Sequence, residues 1–205
     1  QVAFNKLDNA IPRVVKCVAK QVAAGGLAWL YRTLTRATPD RFLEVIVQDG
    51  PLRGRRYVCN LKYERDLFLG KHEPEVVEAF RRLVRPGDTV VDIGGHSGYF
   101  ALVLADYVGS DGRVISFEPG AANVARFRTN LALNPDLARR ISLRVAAVME
   151  CAGEVSFSAG PFSFTGHVVE TPEVDAVLIR SVSLDDVVAA EKLRPALIKM
   201  DIEGG

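Results

Sequence analysis

The sequence predicts an α/β protein built on a doubly wound parallel sheet, and three observations carry that reading. From Thr89 onward, near-continuous apolar runs alternate with segments of helical periodicity. The first of these runs, "TVVDIG", passes directly into a glycine-rich turn holding Gly94, Gly95 and Gly98. The second, "RVISFEP", ends in an acid, Glu118. Strands that are apolar on both faces, joined by helices, are what a covered parallel sheet requires.

The elements follow in order. Residues 1 to about 38 read as helical and irregular, closing at "ATPD". Two β-rich runs, Leu43 to Val47 and Arg56 to Leu61, flank a connection containing Gly and Pro, which is a hairpin signature. In "EPEVVEAFRRLVRPGD", Val76, Val77, Phe80, Leu83 and Val84 recur at helical spacing, and Pro86-Gly87 stops the helix. "TVVDIG" is the first strand of the sheet, and "SGYFALVLADYVG" is a helix ending at Gly109. "GSDG" is a turn, "RVISFEP" the second strand, and "AANVARFRTNLALN" a helix followed by Asn134-Pro135. "ISLRVAAV" is the third strand, "GEVSFS" a short β piece, "SLDDVVAAEKL" a short helix that Ser183 can cap, and "PALIKMD" the fourth strand. The chain thus divides into an accessory segment, residues 1–70 (helix plus β-hairpin), and a sheet domain, residues 71–205.

Composition narrows the function classes. The chain has 205 residues, 48% hydrophobic and 25% charged, with net charge +1. That balance lacks the electrostatic footprint of a nucleic-acid binder. Arg53, Arg55 and Arg56 flank Gly54 and read as a solvated turn. The longest uncharged apolar-rich run, Gln21 to Tyr31, holds 11 residues, whereas a membrane helix needs ~20. Cys17, Cys59 and Cys151 are far apart and form no CxxC, which points to a reducing, cytoplasmic home. His72, His96 and His167 show no metal-ligand spacing with them. The chain begins with Gln1 and ends "KMDIEGG" with no stop element, so we expect a fragment, incomplete after its fourth core strand.

The glycine turn carries the chemistry. Ligands of open α/β sheets bind beyond the carboxyl ends of the strands. Glycines there allow a ligand to approach the backbone, and the helix that starts near Ser97 offers unpaired N–H groups. The dinucleotide pattern G-x-G-x-x-G fails, since Gly94 is followed by His96 and Tyr99 at the required glycine positions. Asp92 would repel a pyrophosphate in a poorly solvated crevice. It would suit a ligand with an ammonium group, while the helix start would face that ligand's carboxylate. S-adenosylmethionine carries both groups. Glu118, 20 residues after Gly98, can accept the ribose hydroxyls, although nicotinamide enzymes place an acid similarly.

Taken in series, "VVDIGGHSGYFALVLA", "VISFEPGAANVARFRTNLALN", "VAAVMECAGEVSFS", "VSLDDVV" and "ALIKMDIEGG" resemble the FkbM-type S-adenosylmethionine-dependent methyltransferases over about residues 70 to 205. In that family the loop usually reads D-x-G-A-N-x-G, so Gly95 stands here for Ala and His96 for Asn. The resemblance implies a class I methyltransferase Rossmann-like sheet and O-methylation of a small molecule such as a sugar or polyketide. It implies cofactor contacts at Asp92, Gly94, His96 and Glu118, to which Gly95, Gly98, Tyr99, Pro119 and Ala147 are added as neighbours on the same loops. Asn130 and Asn134 match its helix end and read as caps or loop anchors. Its strand order leaves the fourth strand as an open edge.

Asp201 ends the fourth strand and Glu203 lies two residues on, so in extended backbone both face the same way. One can act as general base toward an acceptor hydroxyl, with His96 as the alternative base, or the pair can hold Mg²⁺ to acidify that hydroxyl. The competing functions are a nicotinamide-dependent oxidoreductase and a cofactor-binding domain without turnover. The segment before residue 70 either covers the acceptor site or makes an oligomer contact; the sequence supports both.

Overall fold

The computed structural model describes residues 41–158, 166–169 and 176–202. The helical reading before residue 38, including the apolar run from Gln21 to Tyr31, lies outside the described residues, as does Glu203. Two compact units are distinguished. The described part of the smaller is residues 41–43 and 60–65; the larger takes in residues 44–59 and those from 66 onward. In the smaller unit the backbone turns at Asn60, whose carbonyl accepts the Glu64 N–H at 2.7 Å and whose Oδ1 accepts the Lys62 N–H at 3.0 Å.

Strands β1 (Phe42–Ile46) and β2 (Arg56–Asn60) form the expected two-stranded hairpin. Helices α1 (Arg65–Leu69) and α2 (Pro74–Leu83) lead to β3 (Thr89–Ile93), α3 (Tyr99–Tyr107), β4 (Arg113–Phe117), α4 (Ala121–Leu133), α5 (Pro135–Ala138) and β5 (Ile141–Arg144). After these come β6 (Ala147–Met149), β7 (Gly153–Ser158), β8 (His167–Val168), β9 (Val177–Ser183), α6 (Leu184–Ala190) and β10 (Pro195–Met200). The main sheet is wholly parallel in the order β10-β3-β4-β5. The expected fourth strand therefore lies at an edge, with Ile198 48% and Met200 59% exposed.

Both faces of its two central strands, β3 and β4, are covered. Val91, Ile93, Ile115 and Phe117 share one core cluster with Ala146, Val182 and Leu193, and Val187 and Val188 of α6 pack against it. Strand alternation turns Val90, Asp92, Val114 and Ser116 to the opposite face. There α3 lies against the sheet, with Tyr99 through Ala105 all buried. A helix apolar on every side must be buried in this way. Ser183 caps α6 as expected, its Oγ accepting the Asp186 N–H.

Two sequence expectations are corrected. "ISLRVAAV" is not one strand. The Ala146 N–H bonds back to the Arg144 carbonyl at 3.1 Å, and this tight turn ends β5. The chain resumes as β6 in a second sheet of order β6-β9-β7-β8. That sheet was anticipated only through "GEVSFS", and its longest strand, β9, was missed. The β-rich run "VLIRSVS" was its signal.

The hairpin is sewn to the main sheet's helices. Tyr57 Oη and Ser97 Oγ share a hydrogen bond at 2.8 Å. Asn130, fully buried, accepts the Val58 N–H through Oδ1 at 2.7 Å and donates to the Ser97 carbonyl at 2.8 Å. Asn134 donates to the Arg56 carbonyl at 2.8 Å. Both asparagines thus act as anchors. Replacing Asn130 with Ala leaves the Val58 N–H without this acceptor and the Ser97 carbonyl with only the Tyr57 hydroxyl, so we expect a loss of about 1–3 kcal/mol in unfolding free energy by urea denaturation.

Candidate cofactor site

The site is built where β3 and β4 end. Gly94 (φ 81°), His96 (φ 49°) and Gly98 (φ 89°) all adopt left-handed backbone, which folds residues 94–98 into a compact loop. The loop is held from within. The Gly94 and Gly95 N–H groups both donate to the Phe117 carbonyl, at 3.0 and 2.9 Å, and the Gly98 N–H donates to the Gly95 carbonyl at 2.8 Å. The His96 N–H donates to Glu118 Oε2 at 2.7 Å.

This changes the reason for the glycines. A Cβ on Gly94 would lie 1.9 Å from the Asp201 carbonyl oxygen, one on Gly95 2.2 Å from Ser116 Oγ, and one on Gly98 2.4 Å from the Phe127 ring. The glycines let the loop close on its own sheet and helix rather than open the backbone to a ligand.

Asp92 is fully buried beneath the loop. Its Oδ2 accepts from Ser116 Oγ at 2.7 Å, and Lys199 Nζ stands 3.2 Å from its Oδ1, an ion pair off the hydrogen-bond direction. The expected ammonium partner is therefore a lysine of the protein itself. Glu118, 5% exposed, sits at the tip of β4. Beyond His96, its Oε1 accepts from the Gly120 N–H at 2.9 Å and from Asn123 Nδ2 at 3.1 Å. Burial raises its pKa above the ordinary carboxylate value, against those hydrogen bonds, and the charge of Asp92 adds to the rise. A carboxylate has about four lone-pair sites, so one remains for a ligand hydroxyl rather than two.

His96 lies between two polar side chains. Arg126 Nη2 is 3.1 Å from its Nε2 and Ser97 Oγ is 3.2 Å from its Nδ1. A guanidinium only donates, so in the first of these contacts Nε2 is the acceptor. Tyr99, at the start of α3, has a buried phenol without a hydrogen-bond partner among the described residues, and burial pushes its pKa up to about 12. No side chain caps α3 at Gly98, so its first-turn N–H groups point to the strand ends unclaimed by a cap. Pro119 is half-buried beside Glu118, and Ala147 is buried at the start of β6. A cleft of about 420 Å³ is lined by Phe117, Leu143, Val145, Ala146, Val182 and Val187 among others.

Asp201 follows β10. Its N–H donates to the Ile93 carbonyl at 3.0 Å, and its carboxylate, 65% exposed, lies 3.7 Å from Lys199 Nζ. Among the described residues no group of three or more His, Cys, Asp or Glu is placed to hold an ion, and Asp201 has the Lys199 ammonium beside it; Glu203, the other half of the expected Mg²⁺ pair, lies outside the described residues. His167 lies in the second sheet, paired with Ser158. Arg55 and Arg56 pair with Asp136 and Glu44, as a solvated turn would. Lys199, Ser116 and Arg126 were missed. Lys199 had a signal: it is the lone charge in "ALIKM", two residues before Asp201 and so on the same side.

Residues 92–205 match the sequence profile of the Methyltransferase FkbM domain. The chain belongs to the FkbM methyltransferase family. Among solved structures it is similar to an FkbM methyltransferase from Methylobacillus flagellatus KT, at 22% identity and a TM-score of 0.42, covering 85% of this chain and 41% of that one. It is also similar to TYW2 of P. horikoshii in complex with MeSAdo, at 16% identity and a TM-score of 0.40, covering 58% and 46%. A third is Aeropyrum pernix fibrillarin with bound S-adenosyl-L-methionine, at 19% identity and a TM-score of 0.31, covering 36% and 32%. The chain spans less than half the length of each of these three. No curated protein matches it significantly. Among the described residues no helix is long and apolar enough to cross a membrane.

Gly95 stands where this family usually has Ala, and Ser116 fills the space. We expect Gly95→Ala to destabilise the protein by about 1–3 kcal/mol, as read from thermal midpoints, through overpacking against Ser116 and the Phe127 ring. The raised pKa of Glu118 also has a sign. The folded state holds its proton more tightly than the unfolded state, so the resulting stability is present below the ordinary value of 4.5 and is lost as pH rises through the folded pKa. Unfolding free energy should therefore fall more steeply with pH, from 4.5 upward, in the wild type than in Glu118→Gln.

Proposed function

We propose that this FkbM-family chain is a S-adenosylmethionine-dependent methyltransferase that delivers a methyl group to a hydroxyl of a small molecule such as a sugar or polyketide. One observation carries the reading: Glu118 at the tip of β4 is bonded to the glycine loop through the His96 N–H, beside a helix start that no side chain caps. A buried acid with a lone pair to spare suits a ribose hydroxyl, and unclaimed helix N–H groups suit a carboxylate. The largely apolar cleft lined by Phe117, Ala146 and Val182 suits a flat purine. Gly94, Gly95, Gly98 and Asp92 act beneath this surface, holding its shape. Tyr99 has a phenol to offer.

When bound, the cofactor supplies a methyl group activated by a sulfonium. The protein then has to align the acceptor hydroxyl and take its proton. Asp201 is the candidate for that proton, since its carboxylate is exposed at the strand ends next to the loop. The near-neutral charge favours a small molecule over nucleic acid. Three widely spaced cysteines with no CxxC fit a reducing, cytoplasmic setting.

The test is equilibrium binding of S-adenosylmethionine, with NADH as competitor. We expect binding that NADH does not displace and that Glu118→Ala weakens by at least about tenfold, the loss of one charge-assisted hydrogen bond. Asp201→Asn should retain the affinity and lower kcat by about 10²–10⁴-fold. Displacement by NADH would replace this reading with a nicotinamide oxidoreductase. Binding with no turnover on any hydroxyl acceptor would leave a cofactor-binding domain.

A further inference from the structure

β10 is an apolar edge strand with a single cation in it. Lysines are almost always exposed, yet the side chain of Lys199 is only 9% exposed. Three oxygens surround its ammonium: Gly94 carbonyl at 3.1 Å, Asp92 Oδ1 at 3.2 Å and Asp201 Oδ2 at 3.7 Å. The Phe100 ring, in the first turn of α3, lies 5.2 Å away. One hydrogen bond, to the Gly94 carbonyl, and two ion pairs, to Asp92 and Asp201, thus converge on one ammonium.

We propose that Lys199 is a positioning residue that fixes the cofactor loop and the Asp201 carboxylate relative to each other; this rests on the methyltransferase reading above. A counter-ion for Asp92 would need only Asp92, whose other oxygen Ser116 already serves. The contacts to Gly94 and Asp201 exceed that need. They join groups that the backbone also brings together, because the Asp201 N–H bonds to the Ile93 carbonyl and a Cβ on Gly94 would strike the Asp201 carbonyl. Lys199 thus closes a ring made of the β3 end, the loop and the β10 end. Donor-side and acceptor-side groups depend on one ammonium.

The experiment separates this role from charge balance. Lys199→Met alone strands a buried carboxylate and should give the least stable variant. Asp92→Asn removes that charge and keeps the lysine. In Asp92→Asn/Lys199→Met the stranded charge is gone, so the thermal midpoint should recover most of its loss. If Lys199 positions the loop, native-state hydrogen exchange in the peptide spanning Gly94 to Gly98 should nonetheless be at least about tenfold faster in the double variant than in Asp92→Asn. S-adenosylmethionine affinity should be weaker by a similar factor. Equal exchange and equal affinity in these two variants would overturn the proposal. A wild-type protein with no affinity for S-adenosylmethionine would overturn the methyltransferase reading instead, since the exchange comparison needs no ligand. Should the double variant fail to fold, Lys199→Arg carries the test. It keeps the charge beside Asp92 but replaces a compact ammonium with a wider planar group. Faster loop exchange at an unchanged midpoint supports the proposal, and unchanged exchange overturns it.

Discussion

A carboxylate sealed from water organises the end of this sheet. Asp92 has no exposed surface, and a buried charge left without a partner costs about 3–5 kcal/mol. The fold meets that demand from two neighbouring strands, with the Ser116 hydroxyl of β4 on one oxygen and the Lys199 ammonium of β10 on the other. Strand order follows from it in part. β3 must lie between β4 and β10 for both partners to reach, and the parallel register places Asp92 opposite Ser116 on one side and Lys199 on the other. The glycine loop then rests on this neutralised base.

Above it the loop spends its backbone donors on the protein. Gly94 and Gly95 bond to Phe117, and His96 to Glu118. The left-handed residues fix the shape of the loop, and in the proposed reading a ligand meets a surface of neighbouring groups: the start of α3, the remaining lone pair of Glu118 and the Asp201 carboxylate. Such a surface is pre-formed. Its groups are already oriented by bonds to one another, which lowers the ordering cost of receiving a ligand.

The sequence made the parallel sheet legible because strands apolar on both faces leave an unmistakable periodicity, and the turn after β3 is marked by its glycines. Glu118 and Asp201 were legible as strand-terminal acids. What could not be read were partners distant along the chain. Ser116 and Lys199 reach Asp92 only through strand register, and Arg126 reaches His96 only because α4 turns back over the loop. His96 reads as a base on residue type alone; only the fold shows that a guanidinium stands against its Nε2. The break between β5 and β6 was hidden because "RVAAV" stays apolar across a turn closed by one backbone bond. Here burial continues while direction changes, and hydrophobic pattern reports only burial.

The bonds joining Tyr57, Val58 and Arg56 to Ser97, Asn130 and Asn134 separate two kinds of boundary. The match to the family profile begins at residue 92. The cooperative structure begins earlier, since the loop's own serine and the helix behind it lean on a hairpin that lies upstream of that match. A graft cut at the limit of the match would carry the loop's residues and leave behind the scaffold that holds them in place. For this protein the portable module is defined by mechanical support rather than by kinship.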